Sequence, residues 1–82
     1  MTTLYDIYSK EDFTKNYYLT IHYLDGRLEA KIYKSFKTAG WDILDDFPAN
    51  DMIRYEVIDR KVEGSKIYLE LVEHEANLVF AR

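Results

Sequence analysis

The dipeptide Asp25-Gly26, set between two alternating runs at residues 17–24 and 27–34, constrains this chain more than any other feature. Such a pair between alternating apolar and polar residues is a strong short-range hairpin signal, because both central residues of a type I′ turn need positive φ. Closing a two-residue turn there predicts that Leu24 faces Arg27, Tyr23 faces Leu28, Ile21 faces Ala30, Leu19 faces Ile32 and Tyr18 faces Tyr33. One side of the ribbon then reads Leu19, Ile21, Tyr23, Leu28, Ala30, Ile32 and is apolar throughout. The other reads Tyr18, Thr20, His22, Leu24, Arg27, Glu29, Lys31, Tyr33 and is mostly wettable. A slip of one residue would exchange the two faces of a strand.

A second hairpin is predicted over residues 53–73. Gly64-Ser65 suits a type II′ turn, with Gly in the first central position. That register pairs Glu63 with Lys66, Val62 with Ile67, Lys61 with Tyr68, Arg60 with Leu69 and Ile58 with Leu71. It also sets Asp59 across from Glu70, an unfavourable pair that asks for a bulge or a shifted register. Near the N-terminus, Thr3 with Asp6 and Ser9 with Asp12 both have capping-box spacing, and a short helix is expected near residues 9–15. Residues 41–47 are amphipathic at helical period: Trp41, Ile43, Leu44 and Phe47 on one side, Asp42, Asp45 and Asp46 on the other. Pro48 closes that piece. Trp41 is expected in the core, and residues 78–80 offer a further edge strand. The pattern predicts an α+β fold in a single domain over residues 1–82. Its core is a small antiparallel sheet of four or five strands, built from two hairpins, with one or two short helices.

Composition narrows the function classes. Eight tyrosines among 82 residues are more than a core of this size can enclose, so some rings are expected at the surface. No cysteine is present, which removes disulfides and thiolate metal sites. No run approaches a membrane span and the opening residues are no signal peptide, so a soluble cytoplasmic protein is expected. The net charge of −4 is unevenly spread: residues 1–41 carry +1 and residues 42–82 carry −5. Such asymmetry suggests a charged binding face, although acidity also serves solubility alone.

Catalytic constellations are scarce. With no Cys and only His22 and His74, no nucleophile–base pair is indicated. His22 reads as a cross-strand partner of Glu29, and His74, between two glutamates, as a solvated residue. Three scattered glycines form no phosphate loop. Asp42, Asp45, Asp46 and Asp51 offer oxygen ligands, but their spacing matches no cation loop. The expectation is a non-enzymatic protein with no metal and no cofactor.

Two binding readings remain. The first is an acidic protein-binding module whose surface comprises Asp42, Asp45, Asp46, Asp51, Glu56, Asp59, Glu70, Glu73 and Glu75. Carboxylates on a rigid face can occupy the Arg and Lys residues of a partner's nucleic-acid-binding surface. Small size, acidity, surplus tyrosine and the lack of catalytic groups resemble, as a class, the inhibitors that phages make against host defences, anti-CRISPR proteins among them. The resemblance implies a partner protein with a basic surface. The second reading is a sheet that stacks single-stranded nucleic acid on Tyr18 and Tyr33, with Lys31 and Lys34 alongside. Net negative charge and the lack of a basic stripe speak against it. A structural role, with edge strands pairing across a homodimer, is a third possibility.

Overall fold

The protein is described from a computed structural model over residues 1–10, 15–33, 43 and 46–75. Helix α1 (Leu4–Ser9) is followed by strands β1 (Asn16–His22) and β2 (Leu28–Tyr33). Helix α2 (Ala49–Met52) precedes strands β3 (Tyr55–Glu63) and β4 (Lys66–Glu73). The strand order is β2-β1-β4-β3. Each hairpin is antiparallel, but β1 and β4 run parallel at the centre, so the sheet is mixed rather than antiparallel as expected. Both strands are apolar at alternate positions, and joining the hairpins through them buries those positions from both sides. Leu19, Ile21, Leu69 and Leu71 are accordingly buried.

The capping box at Thr3 forms as predicted. The Asp6 backbone N–H donates to Thr3 Oγ1, and the Thr3 N–H donates to Asp6 Oδ2 at 2.8 Å. The helix it starts spans residues 4–9, and most of the stretch expected to be helical, residues 11–14, lies outside the described residues. Ser9 belongs to its last turn, while Asp12 lies outside the described residues. Leu4 buries fully, and Ile7 and Tyr8 pack against the core. Residues 41–47 are described only at Ile43, Asp46 and Phe47. Ile43 and Phe47 are buried and Asp46 is exposed, in keeping with the expected faces. Trp41, Asp42, Asp45 and the expected strand at residues 78–80 lie outside the described residues.

The two hairpins differ in how their turns close. At Gly64, φ is +60° while Ser65 keeps negative φ, which is the type II′ arrangement. The predicted pairs from Glu63–Lys66 to Asp59–Glu70 all form. A bulge between Val57 and Asp59 then shifts the register, so Val57 rather than Ile58 faces Leu71.

The first hairpin departs from expectation. Asp25 does not adopt positive φ; only Gly26 does, at +90°. The Gly26 N–H donates to the Tyr23 carbonyl and the Tyr23 N–H donates to the Arg27 carbonyl. The loop is therefore three residues, Leu24 to Gly26, a turn followed by a glycine bulge. Asp25 stabilises it by accepting from the Arg27 backbone N–H at 3.0 Å and from Arg27 Nε at 2.7 Å. These contacts, the backbone one foremost, hold the Asp25 carboxyl below its usual range. Every pairing moves by one: Tyr17 faces Tyr33, Tyr18 faces Ile32, Leu19 faces Lys31, Ile21 faces Glu29 and His22 faces Leu28. Strand β2 is thereby inverted. Glu29, Lys31 and Tyr33 lie on the core side, and Leu28, Ala30 and Ile32 lie on the other.

Gly26 has open space where a Cβ would sit, so Gly26→Ala meets strain rather than a clash. Positive φ costs an L-residue about 1–2 kcal/mol. An unfolding free energy lowered by that amount, with a correspondingly lower urea midpoint, is expected; an unchanged midpoint would mean that the loop closes differently.

The core side of β2 is capped by tyrosines with acidic partners. Tyr33 is buried and its hydroxyl donates to Asp46 Oδ2 at 2.6 Å. The Tyr23 hydroxyl donates to Glu29 Oε1 at 2.6 Å, and Tyr55 meets Phe47 edge-on at 5.1 Å between centroids. Burial first, and then the neighbouring carboxylates, push the Tyr23 and Tyr33 phenols well above their ordinary value. Burial pushes Tyr55 up to about 12. An unfolded tyrosine ionises near pH 10. Native protons are thus retained where unfolded ones are lost, so stability falls as pH rises above about 10. Melting temperature measured from pH 8 to 11.5 is expected to be level at first and then to drop; a level profile throughout would contradict these phenol environments.

Candidate functional site

The helices, Ile43 and Phe47 cover one side of the sheet, and α1 lies against β3 and α2. Among the described residues, the other side has no covering layer. Its side chains follow the strand registers in three rows. The first is Ile32, Tyr18, Tyr68, Lys61; the second is Ala30, Thr20, Glu70, Asp59; the third is Leu28, His22, Val72, Glu56.

The face is graded from apolar to acidic. At the β2 end, Leu28 and Ile32 are 65% and 57% exposed, with Leu24 beside them in the turn. At the centre, Tyr18 and Tyr68 stack with ring centroids 4.9 Å apart, because the parallel pairing of β1 with β4 sets them side by side. Lys66 Nζ lies 5.9 Å from the Tyr18 ring. At the β3 end stand Lys61, Asp59 and Glu56, with Glu70 beside Asp59 on β4. His22 Nε2 meets Glu70 Oε2 at 2.6 Å, and His74 Nε2 meets Glu56 Oε1 at 2.7 Å. His22 thus pairs with Glu70 and not with Glu29, since the register shift places Glu29 on the opposite side. His74 is half-buried against Glu56 rather than solvated.

The predicted acidic set divides. Glu56, Asp59 and Glu70 share the open face, while Glu75 is exposed just past β4. Asp46, Asp51 and Glu73 do not join them. Asp46 receives the Tyr33 hydroxyl and lies 4.0 Å from Lys31 Nζ. Glu73 accepts from the Leu24 backbone N–H at 3.0 Å and from the Arg54 guanidinium at 2.8 Å, so it ties the first turn to β4. Asp51 pairs with the same Arg54 at 3.4 Å. Asp42 and Asp45 lie outside the described residues. Among the described members of the set, only Asp59 and Glu75 make no hydrogen bond or ion pair, and Asp59 lies within electrostatic reach of Lys61.

The predicted stacking pair does not form. Tyr33 is buried on the core side and Lys31 lies with it, while Lys34 is outside the described residues. Tyr68 takes the place expected of Tyr33. Sequence reasoning missed it because neighbourhood between β1 and β4 depends on long-range parallel pairing.

A cleft of about 590 Å³ opens between α1 and the sheet, lined by Thr2, Asp6, Ile7, Lys10, Tyr17, Arg60 and Ile67. Asp6 is already held in the helix cap, and Lys10 and Arg60 are the other charged side chains of that lining. No cluster of metal-ligating side chains and no membrane-spanning helix occurs among the described residues. Comparison with known proteins adds no relative: no family model, curated protein or solved structure matches the chain.

Proposed function

We propose that this protein is a small non-enzymatic binding module that engages a partner protein through the open face of its sheet. The observation that carries this reading is the grading of that face. Stacked tyrosines at its centre supply rigid contact area, exposed aliphatic side chains flank them on one side, and on the other Lys61 stands beside them with the carboxylates in the next rows. Asp59 opposite Glu70 sharpens it, because two facing carboxylates weaken a sheet and would be relieved by a partner's Arg or Lys. The finer reading is a cytoplasmic inhibitor that fills a basic, nucleic-acid-binding surface of its partner.

Asp59→Lys separates fold from function. Removing the like-charge pair is expected to raise stability by a few tenths of a kcal/mol, while partner capture falls. Pull-down with mass spectrometry at low and high salt checks this, with Tyr68→Ala as a second variant on the face. Asp51→Asn, on the other side, serves as a control. Salt-sensitive partners retained by the control and lost by both face variants are expected. Partners held equally well by Asp59→Lys would contradict the reading. Micromolar binding of a single-stranded oligonucleotide that weakens in Tyr68→Ala would favour a stacking sheet instead.

A further inference from the structure

The two edges of the sheet are treated very differently. Strand β3 carries a bulge, the charged residues Asp59, Lys61 and Glu63, and a covering segment: the Val57 N–H donates to the Thr2 carbonyl, and Thr3 bridges Glu56. These are the devices that keep an edge from pairing. Strand β2 has no proline, no bulge and an exposed apolar row. The Tyr23–Arg27 bond fixes which of its residues bond to β1, and alternation makes Glu29 and Lys31 the bonded ones. The backbone N–H and C=O groups of Leu28, Ala30 and Ile32 therefore point away from β1, and among the described residues nothing takes them up.

We propose that β2 pairs antiparallel with β2 of a second copy about a twofold axis at Ala30, giving a continuous eight-stranded sheet. In that register Ala30 faces Ala30 of the second copy, Leu28 faces Ile32, and Glu29 faces Lys31. All six outward backbone donors and acceptors of each strand find partners. The side-chain match is what commits the site to a second copy. The apolar row meets an apolar row on one side of the sheet, and on the other two symmetric Glu29–Lys31 pairs form. Glu29 and Lys31 lie 3.7 Å apart within one chain and both are partly exposed. The neighbouring registers that satisfy the same backbone groups place Glu29 against Glu29 or Lys31 against Lys31. Charge therefore selects the Ala30-centred register. The open face, doubled in area, stays free, so this pairing goes beyond the partner reading and is tested apart from it.

Sedimentation equilibrium or light scattering after gel filtration, run up to several hundred micromolar, reads the association. The wild type is expected to approach twice its 9.8 kDa mass. Glu29→Lys, which sets like charges opposite at both symmetric positions, is expected to weaken the dimer about tenfold or more. Adding Lys31→Glu to it is expected to restore the dimer. Ala30→Pro, which removes the central donor at the edge without touching the bonds to β1, is expected to give monomer. Circular dichroism checks that each variant keeps its sheet. A wild type monomeric throughout the range overturns the proposal. So does a dimer that Glu29→Lys leaves unchanged, or one that the double exchange fails to rescue.

Discussion

Ile21→Asp is expected to yield no folded protein at 25 °C. Ile21 is fully buried in β1, between Glu29 on β2 and Leu71 on β4, within a cluster that draws on both hairpins and both helices. Truncating a residue of this size in a core costs about 2–5 kcal/mol. Adding a carboxylate to the core costs several kcal/mol more, or forces it to be protonated. Domains are stable by only about 5–15 kcal/mol, and one of this length sits low in that range. Thr20→Lys, one residue along and on the open face, is expected to change stability by no more than about 0.5 kcal/mol. Circular dichroism and urea titration of the pair read the contrast directly. A cooperative melt for Ile21→Asp close to the wild type would place Ile21 outside the core.

Tyr33→Ala and Ile32→Asn form the second contrast, and they invert what the sequence pattern suggests. Tyr33 is 4% exposed and its hydroxyl holds Asp46, so removing the ring is expected to cost about 3–5 kcal/mol and to leave that carboxylate without its donor. Ile32 is 57% exposed, and a polar residue there is expected to cost less than about 1 kcal/mol. Thermal melts settle the order. A larger loss from Ile32→Asn would mean that β2 turns its aliphatic row inward, as a two-residue turn at Asp25-Gly26 requires.

That contrast marks where the sequence was legible. The Thr3–Asp6 cap was readable because it is completed within four residues. The second hairpin was readable because Gly64 admits one short turn, and the Asp59–Glu70 clash announced a bulge that the structure places one residue away. Asp25-Gly26 misled because the same dipeptide serves either as a two-residue turn or as the end of a three-residue loop. The Asx contact from Asp25 to Arg27 favours the longer loop, and alternation alone cannot register it. The apolar row of β2 looked like core for the same reason. The parallel β1–β4 pairing, and with it the Tyr18–Tyr68 stack and the His22–Glu70 pair, rests on contacts some 50 residues apart. No local pattern encodes these. Of the acidic set, the sequence gathered residues by their charge, whereas the strand faces sort them into an open group and a group that braces Arg54 and Tyr33.

Both the partner surface and the edge pairing depend on which side of β2 faces out, and cross-strand nuclear Overhauser effects between α-protons measure that. In an antiparallel pair such contacts are strong between residues whose backbone groups do not bond each other, where the Cα atoms approach to about 4.5 Å. The structure predicts them for Tyr18 with Ile32, Thr20 with Ala30 and His22 with Leu28. Strong contacts instead for Leu19 with Ile32 and Ile21 with Ala30 would return Leu28, Ala30 and Ile32 to the core side and remove the ground for both proposals.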